Sequence, residues 1–267
     1  MTPLKILSLG AGVQSTTMFL MAEKGDLERP DRAIFADTGW EPPAVYEHLK
    51  WLQSVATIPI DVVTAGNIRE ETIANVREGR FLTLPVFSDD AGKPGMLRRQ
   101  CTKDYKLLPL QQHARELWAE RERERDAQKR LPPGAIEMWI GISLDEVQRM
   151  KPSRVKYIAN RWPLIERRMS RNMCLAWLRR HGYPRPPRSS CVACPFKSDA
   201  EWYEMKDQRP EEWREAVEFD EAIRTSEKLG TVYVHKSCRP LSDVVFEPET
   251  GQAFFEWNGE CEGMCGV

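Results

Sequence analysis

The stretch Lys5-Ile6-Leu7-Ser8-Leu9-Gly10-Ala11-Gly12-Val13-Gln14-Ser15-Thr16 decides how the chain is read. An apolar run that ends at Gly10 has the length of a buried strand. The residues from Ser15 to Lys24 then read as a helix, with Gly25 as its stop. Glycines at 10 and 12 permit a tight turn and close approach of a ligand to the backbone. The helix start beyond them offers N–H groups and a positive dipole end to an anion. Ser8, Ser15 and Thr16 add hydroxyls. The same residues also suit an ordinary strand-to-helix turn. No Lys follows the turn, so it is not a Walker A loop, and Ser15 stands where a dinucleotide fingerprint has its third glycine.

Working outward, Ala33–Ala36 reads as a second buried strand that ends at Asp37-Thr38-Gly39. Pro43–Val55 reads as a helix and Ile58–Val63 as a third strand. Strand, helix, strand, helix, strand at this spacing implies right-handed crossovers and a parallel sheet, hence an α/β fold. Phe81–Cys101 looks irregular, Leu107–Lys129 reads as a long charged helix and Ile136–Ile142 as a further strand. Ser170 caps a helix that runs to His181, Ala200–Leu229 is helical, and Val232–Val267 is irregular. Asp37 and Gly141 sit where strands end, the edge at which open parallel sheets bind ligands. Asp37 is suited to a ribose hydroxyl, a metal ion or the capping of the next helix.

The chain has 267 residues, 39 Lys+Arg against 40 Asp+Glu, and seven cysteines. That length buries a sizeable core, and the near-zero net charge argues for neither nucleic acid nor membrane. No apolar stretch is long enough to span a bilayer and the N-terminus lacks a signal-peptide layout, so a cytoplasmic location is expected. Paired cysteines in a reducing compartment point to metal, cluster or redox chemistry. Cys191-Val192-Ala193-Cys194 has ligand spacing, and further ligands must come from elsewhere. Cys174 falls on an apolar helix face and reads as core. The density of basic residues from Arg149 to Arg188, with acidic residues gathered after 200, suits a phosphate-rich partner and leaves nucleic acid open.

Several segments together resemble the phosphoadenosine phosphosulfate (PAPS) reductase family of the PP-loop, adenine nucleotide alpha hydrolase-like superfamily. Gly10-Ala11-Gly12-Val13-Gln14-Ser15 is similar to the loop Ser-Gly-Gly-x-Asp-Ser, with Gln14 for Asp and Gly10 for Ser. Ile34–Glu41 resembles the acidic-Thr-Gly motif. Gly141–Arg149 resembles a Gly-x-Arg-x-x-Glu-Ser stretch in which the usual Arg is Ser143. Arg99–Leu110 resembles the segment in which iron–sulfur members carry a Cys-Cys pair, of which Gln100 replaces the first and Cys101 keeps the second. The resemblance covers about Leu4 to Lys197. It implies a Rossmann-like PP-loop nucleotide-binding domain over 1–197 and a Cys-rich, partly helical extension over 198–267.

It further implies nucleotide contacts from Ser8, Gly10, Gly12, Gln14, Ser15, Thr16, Asp37, Thr38, Gly141 and Arg149. A [4Fe-4S] cluster would be held by Cys101, Cys191 and Cys194, either with one iron open or with a fourth ligand from Cys238, Cys261 or Cys265. Zinc is the rival, closed by His235 or a tail thiol. Cys261 is similar to the family's mobile tail nucleophile. The implied substrate is PAPS, APS or ATP, with Mg in the last case, and the implied partner a thioredoxin-like reductant or a sulfur donor. The leading expectation is thiol-dependent reduction of PAPS or APS to sulfite. The alternatives are an ATP-dependent PP-loop sulfurtransferase acting on tRNA or DNA, and a non-catalytic nucleotide- or nucleic-acid-binding module with structural zinc. Oligomeric state is left open.

Overall fold

A computed structural model describes residues 2–80, 82–90, 93–123, 130–226 and 230–246. Its centre is a five-stranded parallel sheet. The strands are β1 (Leu4–Ser8), β2 (Arg32–Asp37), β3 (Ile60–Thr64), β6 (Ile136–Trp139) and β7 (Ile158–Arg161), in the order β3-β2-β1-β6-β7. The α/β reading with a parallel sheet is therefore what the chain adopts. The strand order reverses between β1 and β6, which makes a topological switch point at their carboxyl ends.

Alternating side chains commit the two faces of this sheet to different layers. Leu7, Ala33, Phe35 and Trp139 pack with α1 (Val13–Lys24), α2 (Pro43–Val55) and α6 (Arg171–Arg180). Ile6, Ile34, Ile136 and Met138 pack with α4 (Leu108–Arg121). Helix α1 is buried from Val13 to Ala22. It stops at Gly25, whose φ of 85° allows Gly25 N–H to reach Ala22 O while Asp26 N–H reaches Met21 O at 2.8 Å. Ser170 caps α6 as expected, its Oγ accepting from Met173 N–H.

A second core lies beyond the sheet. The hairpin β4 (Phe87–Asp90) and β5 (Lys93–Met96) joins β9 (Gly230–Tyr233) and β8 (Thr225–Ser226) in an antiparallel sheet ordered β5-β4-β9-β8. It packs with α3 (Ile68–Arg77), α7 (Asp199–Gln208) and α8 (Pro210–Ile223) around Trp202, Phe219 and Val232. Residues on both sides of position 197 share this core.

Four local expectations are corrected. The segment before Cys101, expected to be irregular, holds the hairpin β4–β5, whose outer partner β9 lies far along the chain, out of reach of local reading. The charged helix ends at Arg121, soon after its last buried residues, Trp118 and Ala119; its stretch 124–129 lies outside the described residues. The helix expected over Ala200–Leu229 is two helices. Pro210 lacks an N–H and disfavours helical geometry at Arg209, which sits at φ −134°, ψ 64°. The region from Val232 begins inside β9. Helix α3 is an addition: Asn67 Oδ1 caps it by accepting from Arg69 and Glu70 N–H at 3.0 and 3.1 Å, and Ile68, Thr72 and Val76 face inward. That four-residue spacing was legible in the sequence.

Helix α5 (Pro163–Glu166) links β7 to α6. No helix among the described residues is long and apolar enough to cross a membrane.

Candidate functional site

The turn after β1 carries Ala11 at φ 57°, between Gly10 and Gly12. Gly12 is the N-cap of α1 and supplies no side-chain acceptor, which leaves the first-turn N–H groups without the usual side-chain cap. Ser15 Oγ accepts from Gly10 N–H at 3.1 Å and so fixes the turn. Thr16 Oγ1 pairs with His48 Nε2 at 3.1 Å, from the second turn of α2. Burial lowers the His48 pKa to about 4, so the ring is neutral at physiological pH. Ser8 is the buried last residue of β1.

The loop after β6 forms the facing wall. Gly141 and Ser143 are buried in it. Gln14 Nε2 donates to Glu146 Oε2 at 3.0 Å and approaches Ser143 Oγ at 3.5 Å. The guanidinium of Arg149 pairs with the same Glu146. The chain thus joins Gln14, Glu146 and Arg149 across the switch point, 132 residues apart in sequence for the first pair. Gln14 and Ser143 thus face one another across it.

The turn after β2 has a different part. Asp37 Oδ1 accepts from Gly39 N–H and from Tyr46 OH, both at 2.8 Å. Helix α2 starts after Pro42 without a side-chain cap, so Asp37 does not cap it. Gly39 has φ 71°, and a Cβ there would lie 2.9 Å from Asn67 Cα; only glycine suits the position. Thr38 Oγ1 lies 3.5 Å from Cys191 Sγ, and Val192 N–H donates to Trp40 O at 3.0 Å. This turn fastens the Cys-x-x-Cys segment to the carboxyl edge of the sheet.

Cys101, Cys191 and Cys194 line one cavity together with Thr38, Arg99 and Lys106. Leu84, Pro85 and Phe196 form its apolar wall. Cys101 and Gln100 donate backbone N–H to Thr83 O, which sets the start of the helical segment. Leu108 N–H bonds Lys103 O five residues back, a π turn that precedes α4. The turn carries Lys106, whose Nζ lies 3.3 Å from Glu41 Oε1 in a buried ion pair. Glu41 Oε2 accepts from Ser189 Oγ. Burial pushes the Cys191 thiol well above its ordinary pKa; the Glu41 carboxylate adds to that and Lys106 opposes it. On the far side, Lys197 is buried, donates to Ser190 Oγ at 3.2 Å, and has its pKa lowered by burial to about 8, with Cys194 pulling the other way. Arg99 stacks over Phe196 at 5.0 Å. Sequence reasoning missed His48 and Lys197, since nothing local marks either as facing a site.

A zinc ion needs its ligands within about 2.3 Å of one point. Among the described residues no three His, Cys, Asp or Glu side chains converge in that way. Both ring nitrogens of His235 are already taken, by Ser237 Oγ at 2.8 Å and Asp199 Oδ1 at 3.1 Å. Cys101, Cys191 and Cys194, around one cavity with Arg99 and Lys106 in its wall, are the residues that could hold a metal ion or an iron–sulfur cluster. Cys174 is core, packed near Trp177 and Leu178, and Cys238 does not line the cavity. Cys261 and Cys265 lie outside the described residues.

No family model matches the chain, and no curated protein matches it. Among solved structures it is similar to a PAPS reductase from Candida auris, solved in complex with phosphate. The TM-score is 0.45 at 13% identity, over 70% of this chain and 76% of that one. A likeness of that size assigns neither residues nor a reaction.

Proposed function

We propose that the chain is an enzyme that binds an adenine nucleotide at the switch point between β1 and β6 and carries out sulfur chemistry beside it, as a PAPS- or APS-type reductase. One observation carries this reading: Cys101, Cys191 and Cys194, from segments some 90 residues apart, share a cavity whose wall includes Thr38 at the nucleotide edge. The turn at Gly10–Gly12 and the start of α1 would hold phosphate, Arg149 the second anionic group, and Thr38 with Asp37 the ribose side. Cys101, Cys191 and Cys194 would hold an iron–sulfur cluster. Such a cluster, when bound, supplies an iron with an open position suited to a sulfur ligand.

In this reading the Cys261 thiolate attacks the sulfonyl sulfur. The S–O bond to the nucleotide phosphate breaks, and the adenosine phosphate leaves with that electron pair. A dithiol donor of the thioredoxin class then attacks the Cys261 sulfur, releases sulfite and closes its own disulfide, which regenerates the thiol. The experiment is sulfite release from PAPS or APS with thioredoxin under anaerobic conditions. Loss of release in Cys261→Ser with retained nucleotide binding is expected; unaltered turnover removes Cys261 from the reaction.

A second reading is favoured by a specific observation. Lys151, Arg154, Lys156, Arg179, Arg180 and Arg185 are exposed, and exposed cations of this kind suit the phosphates of a nucleic-acid acceptor for ATP-dependent sulfur insertion. Release of AMP or pyrophosphate from ATP that depends on added tRNA or DNA would establish it over the first.

A further inference from the structure

Lys197 lies just beyond Cys194 in the chain. Its backbone N–H donates to Cys194 O at 3.1 Å, and its Nζ reaches back to Ser190 Oγ, the neighbour of Cys191, at 3.2 Å. The residue is thus pinned at both ends of the segment that carries the two thiols. It is 8% exposed, with the ammonium 5.9 Å from the centre of the Trp202 ring. Among the described residues no carboxylate lies within ion-pair distance of it. Glu212, the carboxylate that most influences it, pairs with Arg209 at 3.1 Å. Lys106, the buried lysine in the cavity wall, already has Glu41. Burial works against the charge on Lys197, and Cys194 is the largest influence that holds it, while Arg188 and Arg209 oppose it.

An ammonium buried without a carboxylate destabilises the protein that carries it. Such a charge is retained where function needs it. Thiols bind a metal only as thiolates, and three thiolates around a divalent ion leave one net negative charge. Ligation therefore turns neutral thiols into an anionic group. A cation fixed at the same segment is unfavourable before ligation and favourable after it.

We propose that Lys197 is a positioning residue of the thiol site: its buried ammonium is the fixed counter-charge of the anionic group that Cys101, Cys191 and Cys194 form when they ligate a metal ion or cluster. The inference rests on reading those cysteines as ligands, and it adds a residue from outside the cavity lining. Removal of the charge should relieve the metal-free protein and weaken its hold on metal. A residue needed only for packing would lower stability and affinity together.

The test compares wild type with Lys197→Met, which is close in length but uncharged. Lys197→Gln keeps a donor for Ser190 and serves if the methionine variant does not fold. Thermal melts of the reduced, metal-free full chain give stability. Cadmium, a thiophilic probe, gives affinity in competition with a chelator of known strength. Binding is followed by the sulfur-to-metal charge-transfer absorption that Cys191→Ser removes. The expected result is a Tm for Lys197→Met equal to or above that of wild type, with cadmium held about tenfold or more weaker. Affinity within about twofold of wild type in either folded variant overturns the inference. So does a fall of Tm and affinity together in both variants, since Lys197 then acts by packing. Wild-type protein that shows no such absorption removes the reading of the cysteines as ligands, a result distinct from binding that ignores Lys197.

Discussion

The glycine turn at α1, with the loop after β6 that faces it, and the thiol cavity lie at the same edge of the parallel sheet, yet they are built in opposite ways. The first is made from contiguous chain: β1, a glycine turn and α1 deliver Gly10 to Thr16 in one piece. The cavity has no such piece. Thr38, the segment from Leu84 to Lys106 and the segment from Cys191 to Phe196 must all arrive together. The glycine turn is polar and poor in charge, with neutral Gln14, Thr16 and His48. The cavity sets a buried Lys–Glu pair and a buried lysine beside thiols. A site made of local backbone survives small changes elsewhere, whereas a site made of distant side chains depends on whatever fastens them.

The largest test of that contrast is at the thiols. Cys191→Ala is expected to reduce iron and sulfide retained after anaerobic reconstitution by roughly tenfold or more, since the remaining two thiols cannot hold the group. Nucleotide affinity, measured on the same protein, should stay within a few-fold of wild type. Equal loss of both would show that the two regions are one site energetically.

Next is the buried pair. Lys106→Ala leaves the Glu41 carboxylate buried without its cation and is expected to cost about 3–5 kcal/mol, a fall in Tm of about 10 °C. The double variant Lys106→Met with Glu41→Gln should recover most of that in thermal melts. No recovery would mean that Lys106 acts through packing rather than charge.

Beside the glycine turn, His48 gives a pH signature. Its folded pKa is about 4 against 6.5 for the free side chain. Between those values the unfolded chain binds the extra proton, so stability is complete above pH 6.5 and falls as pH drops toward 4. The total is about 3 kcal/mol. Denaturant unfolding across that range should show the slope, and His48→Gln should flatten it.

The smallest effect tests the fastening. Gly39→Ala forces a Cβ against Asn67 at a positive φ and is expected to cost about 2 kcal/mol. Because Asn67 Nδ2 also donates to Gly39 O at 2.9 Å, the strain falls on the turn that holds Thr38 against Cys191. Metal retention should therefore drop more than nucleotide affinity. The reverse order would place the main duty of Gly39 at the glycine turn of α1.

Much of the first region was legible in the sequence. Helix α2 spans Pro43–Val55 as read, and Gly25 and Ser170 mark helix ends by turn and cap chemistry that acts within a few residues. The second region was less so. The hairpin at Phe87–Met96 pairs its two short strands with each other, and its place in a sheet comes from β9 at Gly230–Tyr233, which borders β4 from far along the chain. The break at Pro210 is written in the residue itself, which lacks an N–H and disfavours a helical Arg209.

By itself, the amino-acid order determined the strand–turn–helix units, their helix ends and which residue types were available for chemistry, because those depend on contacts a few residues long. Only the tertiary structure decided that Cys101 meets Cys191 and Cys194, that Gln14 is answered by Glu146, and that Lys106 and Lys197 are buried beside thiols. Each of these requires chain segments tens of residues apart to exclude water from a shared space, and a buried charge has meaning only once its surroundings are closed.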